Sequence, residues 1–299
     1  MPLKYLHVPN AFGWSQTFSI SAFCNTIATV ETMNEPLVEI LVRYFYGDEV
    51  LMRSELGRAI ASINGQTYKN LMVTFYRDGG LDAYTMIKEQ CLADCRTIGD
   101  SQNMGRGFAT NCLLTALKGD YFGLLDSDDY IEPGYIDRCV FMAVENKLVM
   151  VKPKVKLVYF KVEREKTDMF EMYFRTLIEQ GDDFYKQMFG KESIKIFAEG
   201  LQMISKVFHR CMSMLMTRID MNITEDCYWM YKANRIVKTL ELKAQSFQPD
   251  PGEHYIQVHP LNRMERYEKL GLKMKAEDYY ELPTEEDIKG VKNGVAKGL

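Results

Sequence analysis

The sequence has no long hydrophobic run. No stretch approaches the roughly 18 consecutive apolar residues that a membrane-spanning helix needs. Its start lacks the basic, apolar and small-residue order of a secretory signal. It also lacks a basic excess: 37 Lys and Arg stand against 41 Asp and Glu, for a formal net charge of -4. That balance argues against non-specific nucleic-acid binding, so no nucleic-acid partner is expected. Paired cysteine spacing is missing as well. The 7 cysteines are scattered, with Cys91 and Cys95 of "CLADC" the closest pair. An odd count without zinc-ribbon spacing points to free thiols in a reducing compartment, and the expected location is cytoplasmic. Neither a "GxxxxGK[ST]" phosphate loop nor a dinucleotide fingerprint is present. Internal repeats and low-complexity tracts are absent too.

What remains is a chain built to pack. Hydrophobic residues make up 46% of its 299 residues and charged residues 26%, the balance of a globular core. "VEILVRYF" (Val38 to Phe45), "NLMVTFY" (Asn70 to Tyr76), a short stretch around Arg96 to Ile98, and Tyr121 to Leu125 read as strands. Between them lie helical patterns. Leu56, Ala59, Ile60 and Ile63 share one face, Ala83, Ile87 and Cys91 another, and Ala109, Cys112, Leu113 and Ala116 a third. Strand–helix alternation predicts an α/β fold with a mainly parallel sheet covered by helices. Ligands then bind beyond the carboxyl ends of the strands.

The second half is less regular. "LVMVKPKVKLVYFKV" reads as extended, while "DMFEMYFRTLIEQ" and "ESIKIFAEGLQMISKVF" read as helices. "CMSMLMTRI" (Cys211 to Ile219) and "IVKTLEL" (Ile236 to Leu242) read as strands, and "TEDCYWMYKANR" as a helix capped by Thr224. The expected organisation is an N-terminal extension over 1–36, a ligand-binding half over 37–140, a second half over 141–270 and a polar tail over 271–299.

The strand from Tyr121 runs into "DSDD": Asp126, Asp128 and Asp129 fall within four residues, with Ser127 between the first two. A solvated turn is the plain reading. A calcium loop fits poorly, because "DSDDYIEPGYID" lacks the sharp-turn Gly and ends in Asp. A third reading is a seat for Mg²⁺ or Mn²⁺, ions commonly held by one or two carboxylates together with substrate phosphates. Such an ion would stabilise a departing diphosphate as a Lewis acid.

The surrounding motifs narrow the choice. "RAIASINGQTYKNLMVTFYRDGGLD" followed by "NMGRGFATNCLLTALKGDYFGLLDSDDYIEPGYID" resembles the nucleotide-sugar-binding half of family 2 glycosyltransferases of the GT-A fold. The matching residues are Gln66, Thr67, Tyr68, Asp78, Gly79, Asn103, Gly105, Ala109, Asn111, Gly119, Asp120, Tyr121, Asp126, Asp128, Asp129 and Pro133, and the likeness covers about 38–140. The resemblance implies a nucleoside-diphosphate sugar donor, UDP- or GDP-linked, and a carbohydrate or other hydroxyl acceptor. It implies an Mn²⁺ or Mg²⁺ cofactor at Asp126 and Asp128, with Asp126 also near the ribose and Asp78 by the base. Tyr46 and its loop to Asp48 would line the nucleotide pocket, with Asn103, Arg106 and Ser127 among the donor contacts. The positive charge that offsets the acidic turn would then arrive with the ligand.

Two departures bear on the base. "FYGD" stands where the family has Pro-Thr-Tyr-Asn, and Arg77 replaces the first acid of the second turn. In the second half, Glu225 and Asp226 open a helix as the family's acidic pair does, which makes Asp226 the expected catalytic base and Glu225 a positioning group. Acids at a helix start also stabilise it without any function. His259 falls where some relatives place a metal-side histidine. Tyr228 and Trp229 are candidates for stacking on an acceptor sugar, though at helical spacing such residues are more often core. The reading is an inverting, metal-dependent glycosyltransferase. Its rivals are a nucleotidyltransferase and a GT-A-like binding protein without catalysis.

Overall fold

The computed structural model describes residues 5–9, 15–19, 35–159, 162–165, 203, 205–217 and 225–258. The expected helices between Asp168 and Phe208, the Thr224 cap, His259 and the 271–299 tail lie wholly or largely outside them.

β1 (Tyr5–Pro9) and β2 (Ser15–Ser19) pair as an antiparallel hairpin within the expected extension. The main sheet begins at β3 (Val38–Tyr44), every residue of which is buried, as expected of a central parallel strand. α1 (Glu49–Asn64) follows. Asp48 caps it by accepting from the Val50 and Leu51 amides at 2.8 and 2.9 Å. Then come β4 (Leu71–Asp78), α2 (Tyr84–Gln90), β5 (Asp94–Asp100), α3 (Arg106–Ala116) and β6 (Tyr121–Asp126). β7 (Tyr130–Ile131) leads into α4 (Tyr135–Asn146), a helix with no counterpart in the sequence reading. The later strands are β8 (Met150–Pro153), β9 (Lys156–Tyr159), β10 (Val162–Glu165), β11 (Val207–His209), β12 (Ala244–Phe247) and β13 (Tyr255–Val258), with α5 (Glu225–Thr239) before β12.

The seven-stranded sheet has the order β12-β8-β11-β6-β3-β4-β5. Only β11 runs against the rest, so the expected mainly parallel α/β sheet is found. The chain winds outward from β3 through β4 to β5, then returns to place β6 on the other side of β3. That reversal makes the carboxyl ends of β3 and β6 the topological switch point, where open α/β sheets form their ligand crevice. A second sheet, β10-β9-β13-β7, includes the strand that follows the acidic turn.

Several of the resembling motifs turn out to be scaffolding. Gln66 donates to the Ser62 and Glu132 carbonyls and accepts from the Ile136 amide, tying the end of α1 to the start of α4. Gly119 lies against buried Glu39, where an added Cβ would stand 2.7 Å from the Glu39 Cβ. Glu39 itself accepts from the Lys118 and Gly119 amides, Thr74 and Arg96. Burial pushes its pKa up, but those hydrogen bonds outweigh burial and hold it below the usual value.

Two expected strands are corrected. "CMSMLMTRI" opens in a 3₁₀ helix, Arg210–Met214, and the strand is the shorter Val207–His209 just before it. The alternating Met residues imitate a strand, but His209 Nδ1 accepts from the Cys211 amide at 3.2 Å and turns the chain. "IVKTLEL" continues α5 through Thr239. Ile236, Val237 and Leu240 pack on the core, and Glu241 closes the helix at φ 52°. Tertiary packing overrides the strand preference of the branched residues.

Candidate active site

α5 carries the expected base, and an aromatic cluster fixes where it lies. Trp229 is fully buried, its ring meeting Phe208 edge-on at 4.8 Å and Phe122 at 6.3 Å, and its Nε1 donates to the Leu215 carbonyl at 2.7 Å. Trp229 is therefore a core residue and not a sugar platform. The side chain of Tyr228 is outside the described residues. With β6 and β11 gripping this ring, the amino end of α5 sits at the switch point.

Four elements converge there. Arg43, near the end of β3, stands opposite Asp126 of β6 in the strand register. Its Nη2 donates to Asp126 Oδ1 at 3.2 Å, while its Nη1 donates at 2.8 Å to both Thr110 Oγ1 of α3 and Glu225 Oε1 of α5. Glu225 is fully buried and also pairs with Arg106 Nε at 3.1 Å. A positive charge for the acidic turn is thus present in the chain itself, contrary to the expectation that it arrives wholly with the ligand. Sequence reasoning missed Arg43. Its signal was a lone charge in the otherwise apolar "ILVRYF".

The three aspartates of the turn differ in what holds them. Each offers an oxygen within 4.8 Å of the others, a hard oxygen donor set that suits Mg²⁺ or Mn²⁺. Asp129 is fully buried, however, and both its oxygens are engaged: Oδ2 by the Tyr255 hydroxyl and Oδ1 by the Val258 amide, each at 2.8 Å. It braces the turn against β13. Asp126 and Asp128 are partly exposed and fit the cation seat better. Arg58 donates to the Asp128 carbonyl, and its guanidinium lies 5.8 Å from the centre of the Tyr130 ring. Tyr46 is buried with its hydroxyl on Ser127, 3.0 Å from Oγ, so both residues shape the turn. Burial raises the pKa of that phenol well above its usual value.

Of the remaining expected donor contacts, Asp78 ends β4 and Asn103 lies in the loop between β5 and α3. Asp78 Oδ1 accepts from the Met104 amide at 2.7 Å and the Gly105 amide at 3.2 Å, and Asn103 Oδ1 from Gly105 at 3.0 Å. Together they shape the loop that enters α3. Gly79 and Gly80 have φ of 79° and 68°, and a Cβ on Gly80 would stand 2.4 Å from the Tyr46 carbonyl oxygen. The "DGG" turn thus needs glycine to bring the two loops together.

Asp226 is next to the buried Glu225. Desolvation raises its pKa and the Glu225 charge raises it further, while Arg106 and Arg43 oppose the rise. The result is a carboxylate more basic than an ordinary aspartate. Arg106 is half-exposed. Burial would lower its pKa, but Glu225, Asp126, Asp226 and Asp128 together raise it, so it remains a cation.

A mainly parallel sheet with a carboxylate turn at its switch point and an acidic helix start facing it defines a GT-A fold. Residues 48–212 match the family described as Glycosyl transferase family 2. The chain belongs to that family. It is 31% identical over 141 residues to Glycosyltransferase GlyA of Streptococcus pneumoniae, covering 46% of this chain and 19% of that protein. It is 25% identical over 247 residues to the putative glycosyltransferase EpsH of Bacillus subtilis, covering 79% and 65%. The matches therefore span less than two thirds of either relative. Among solved structures, S. aureus TarS in complex with UDP-GlcNAc superposes with a TM-score of 0.54 at 16% identity, covering 87% of this chain and 65% of that one. The mannosyltransferase PcManGT of Pyrobaculum calidifontis, in complex with GDP-Man and Mn²⁺, gives 0.51 at 14%, covering 93% and 86%. No helix among the described residues is long and apolar enough to cross a membrane.

Proposed function

We propose that this protein transfers a sugar from a nucleoside-diphosphate donor, UDP- or GDP-linked, to an acceptor hydroxyl, with inversion. One observation carries the reading: a single guanidinium, Arg43, touches both Asp126 of the donor turn and Glu225 of the helix that presents Asp226. Donor and acceptor chemistry thus meet in one crevice.

Asp126 and Asp128 would hold the divalent cation. When bound, that cation would neutralise the diphosphate and stabilise its departure. Asp226 takes the proton of the acceptor hydroxyl as the new acceptor oxygen–C1 bond forms and the C1–phosphate oxygen bond breaks. Its raised pKa strengthens it as a base. Glu225 keeps the helix start against Arg43 and Arg106. Asp78 and Asn103 shape the loop beside the donor.

A thermal-shift screen of UDP, GDP and other nucleoside diphosphates, with and without Mn²⁺, tests the donor half. A ligand bound by the native state raises its stability with concentration. A nucleotide shift that requires Mn²⁺ and disappears in Asp128→Ala is expected. No shift with any nucleotide would refute the reading.

A further inference from the structure

The scheme above leaves Arg43 without a chemical role, yet it ties β3 to three other elements. It is buried to 8% exposure at the switch point and holds three partners from three other elements. Those contacts are unequal. The bonds to Glu225 and Thr110 are 2.8 Å, whereas the contact with Asp126 is a single 3.2 Å bond. A charge-assisted bond at its best is about 2.7–2.9 Å, so the Asp126 contact is the looser of the two ion pairs.

We propose that Arg43 is a positioning residue that competes with the divalent cation for Asp126 and thereby links the cation seat to the helix of Asp226. The inference rests on the reading of Asp126 and Asp128 as that seat. A guanidinium on Asp126 Oδ1 offsets the carboxylate charge that a metal would use, whichever oxygen the metal takes. On cation binding the 3.2 Å contact is the one that yields, and Glu225 and Thr110 retain the guanidinium, so no buried charge is stranded. The like charge beside the seat weakens cation binding until a diphosphate adds negative charge. Occupation of the seat is thereby coupled to the donor, and the retained Arg43–Glu225 pair keeps the base helix in place.

The test is Mn²⁺ titration of the purified full chain without nucleotide, reading free Mn²⁺ by electron paramagnetic resonance, with a melting curve for each variant. Arg43→Gln removes a unit charge beside a dication and is expected to tighten Mn²⁺ binding by about tenfold. Arg43→Lys keeps the charge and should stay within about threefold of wild type. Unchanged or weaker binding by folded Arg43→Gln overturns the proposal. If that variant does not fold, the double variant Arg43→Gln/Glu225→Gln, which strands no buried charge, decides: it should bind Mn²⁺ more tightly than Glu225→Gln alone, and equal or weaker binding overturns the proposal. A merely structural role for Arg43 predicts weaker binding in every variant. Wild-type binding without tightening in Arg43→Gln defeats this inference alone. Absence of Mn²⁺ binding in wild type and every folded variant defeats the cation-seat reading itself.

Discussion

The Tyr255 hydroxyl bridges both ends of the acidic turn: it donates to Asp129 Oδ2 at 2.8 Å and accepts from the Asp126 amide at 3.2 Å. A strand 126 residues on in sequence thus sets the shape of the seat. Burial, followed by the charges of Asp129 and Asp126, raises the pKa of this phenol well above its usual value, so it stays protonated and keeps donating.

Neighbouring aspartates should therefore fail differently. Asp128→Ala is expected to lose Mn²⁺ binding and sugar transfer with a melting temperature near wild type. Asp129→Ala removes the acceptor of the Tyr255 hydroxyl proton and of the Val258 amide, and should cost about 1–3 kcal/mol of stability. Denaturant melts beside Mn²⁺ titrations separate the two. Equal stability losses would contradict the division.

His209 should make the fold sensitive to acid. Burial, then the Arg210 charge, lowers its pKa to about 4 from 6.5, and its Nδ1 accepts the Cys211 amide. A depressed folded pKa means stability is present above about 6.5 and is lost as pH falls towards 4. The loss is up to roughly 3 kcal/mol. Urea midpoints at pH 7 and pH 4.5 should converge less for wild type than for His209→Asn, which has no group to protonate there.

Trp229→Ala should destabilise by about 3–5 kcal/mol, because it empties the junction of α5 with β6 and β11. At temperatures where the variant remains folded, transfer should fall more than nucleotide binding, since Trp229 lies on the helix of Glu225 and Asp226 itself. Equal losses would contradict that placement.

Much of the fold was legible because buried parallel strands read as apolar runs and helix faces keep their spacing. Leu56, Ala59, Ile60 and Ile63 are all buried where one face of α1 requires. α4 went unread although Tyr135, Ile136, Cys139, Val140 and Ala143 keep helical spacing, because it follows the acidic turn without a capping side chain. The site was legible as motifs and not as contacts. Arg43 reads as one charge in a strand, and its partners lie 67, 83 and 182 residues away. Asp129 reads only as one more acid of the turn, and the return of β13 makes it a brace.

The most direct test follows sugar transfer by Asp226→Asn. Wild type and variant are incubated with Mn²⁺, UDP- and GDP-sugars and a panel of hydroxyl acceptors, and nucleoside diphosphate release and product mass are measured. The raised pKa means an ionised Asp226 costs stability that a neutral amide does not. The Asn variant should therefore be at least as stable as wild type at pH 7. It should keep its Mn²⁺-dependent nucleotide shift while losing transfer by about 100-fold or more. Transfer at the wild-type rate by a folded Asp226→Asn variant would contradict the account.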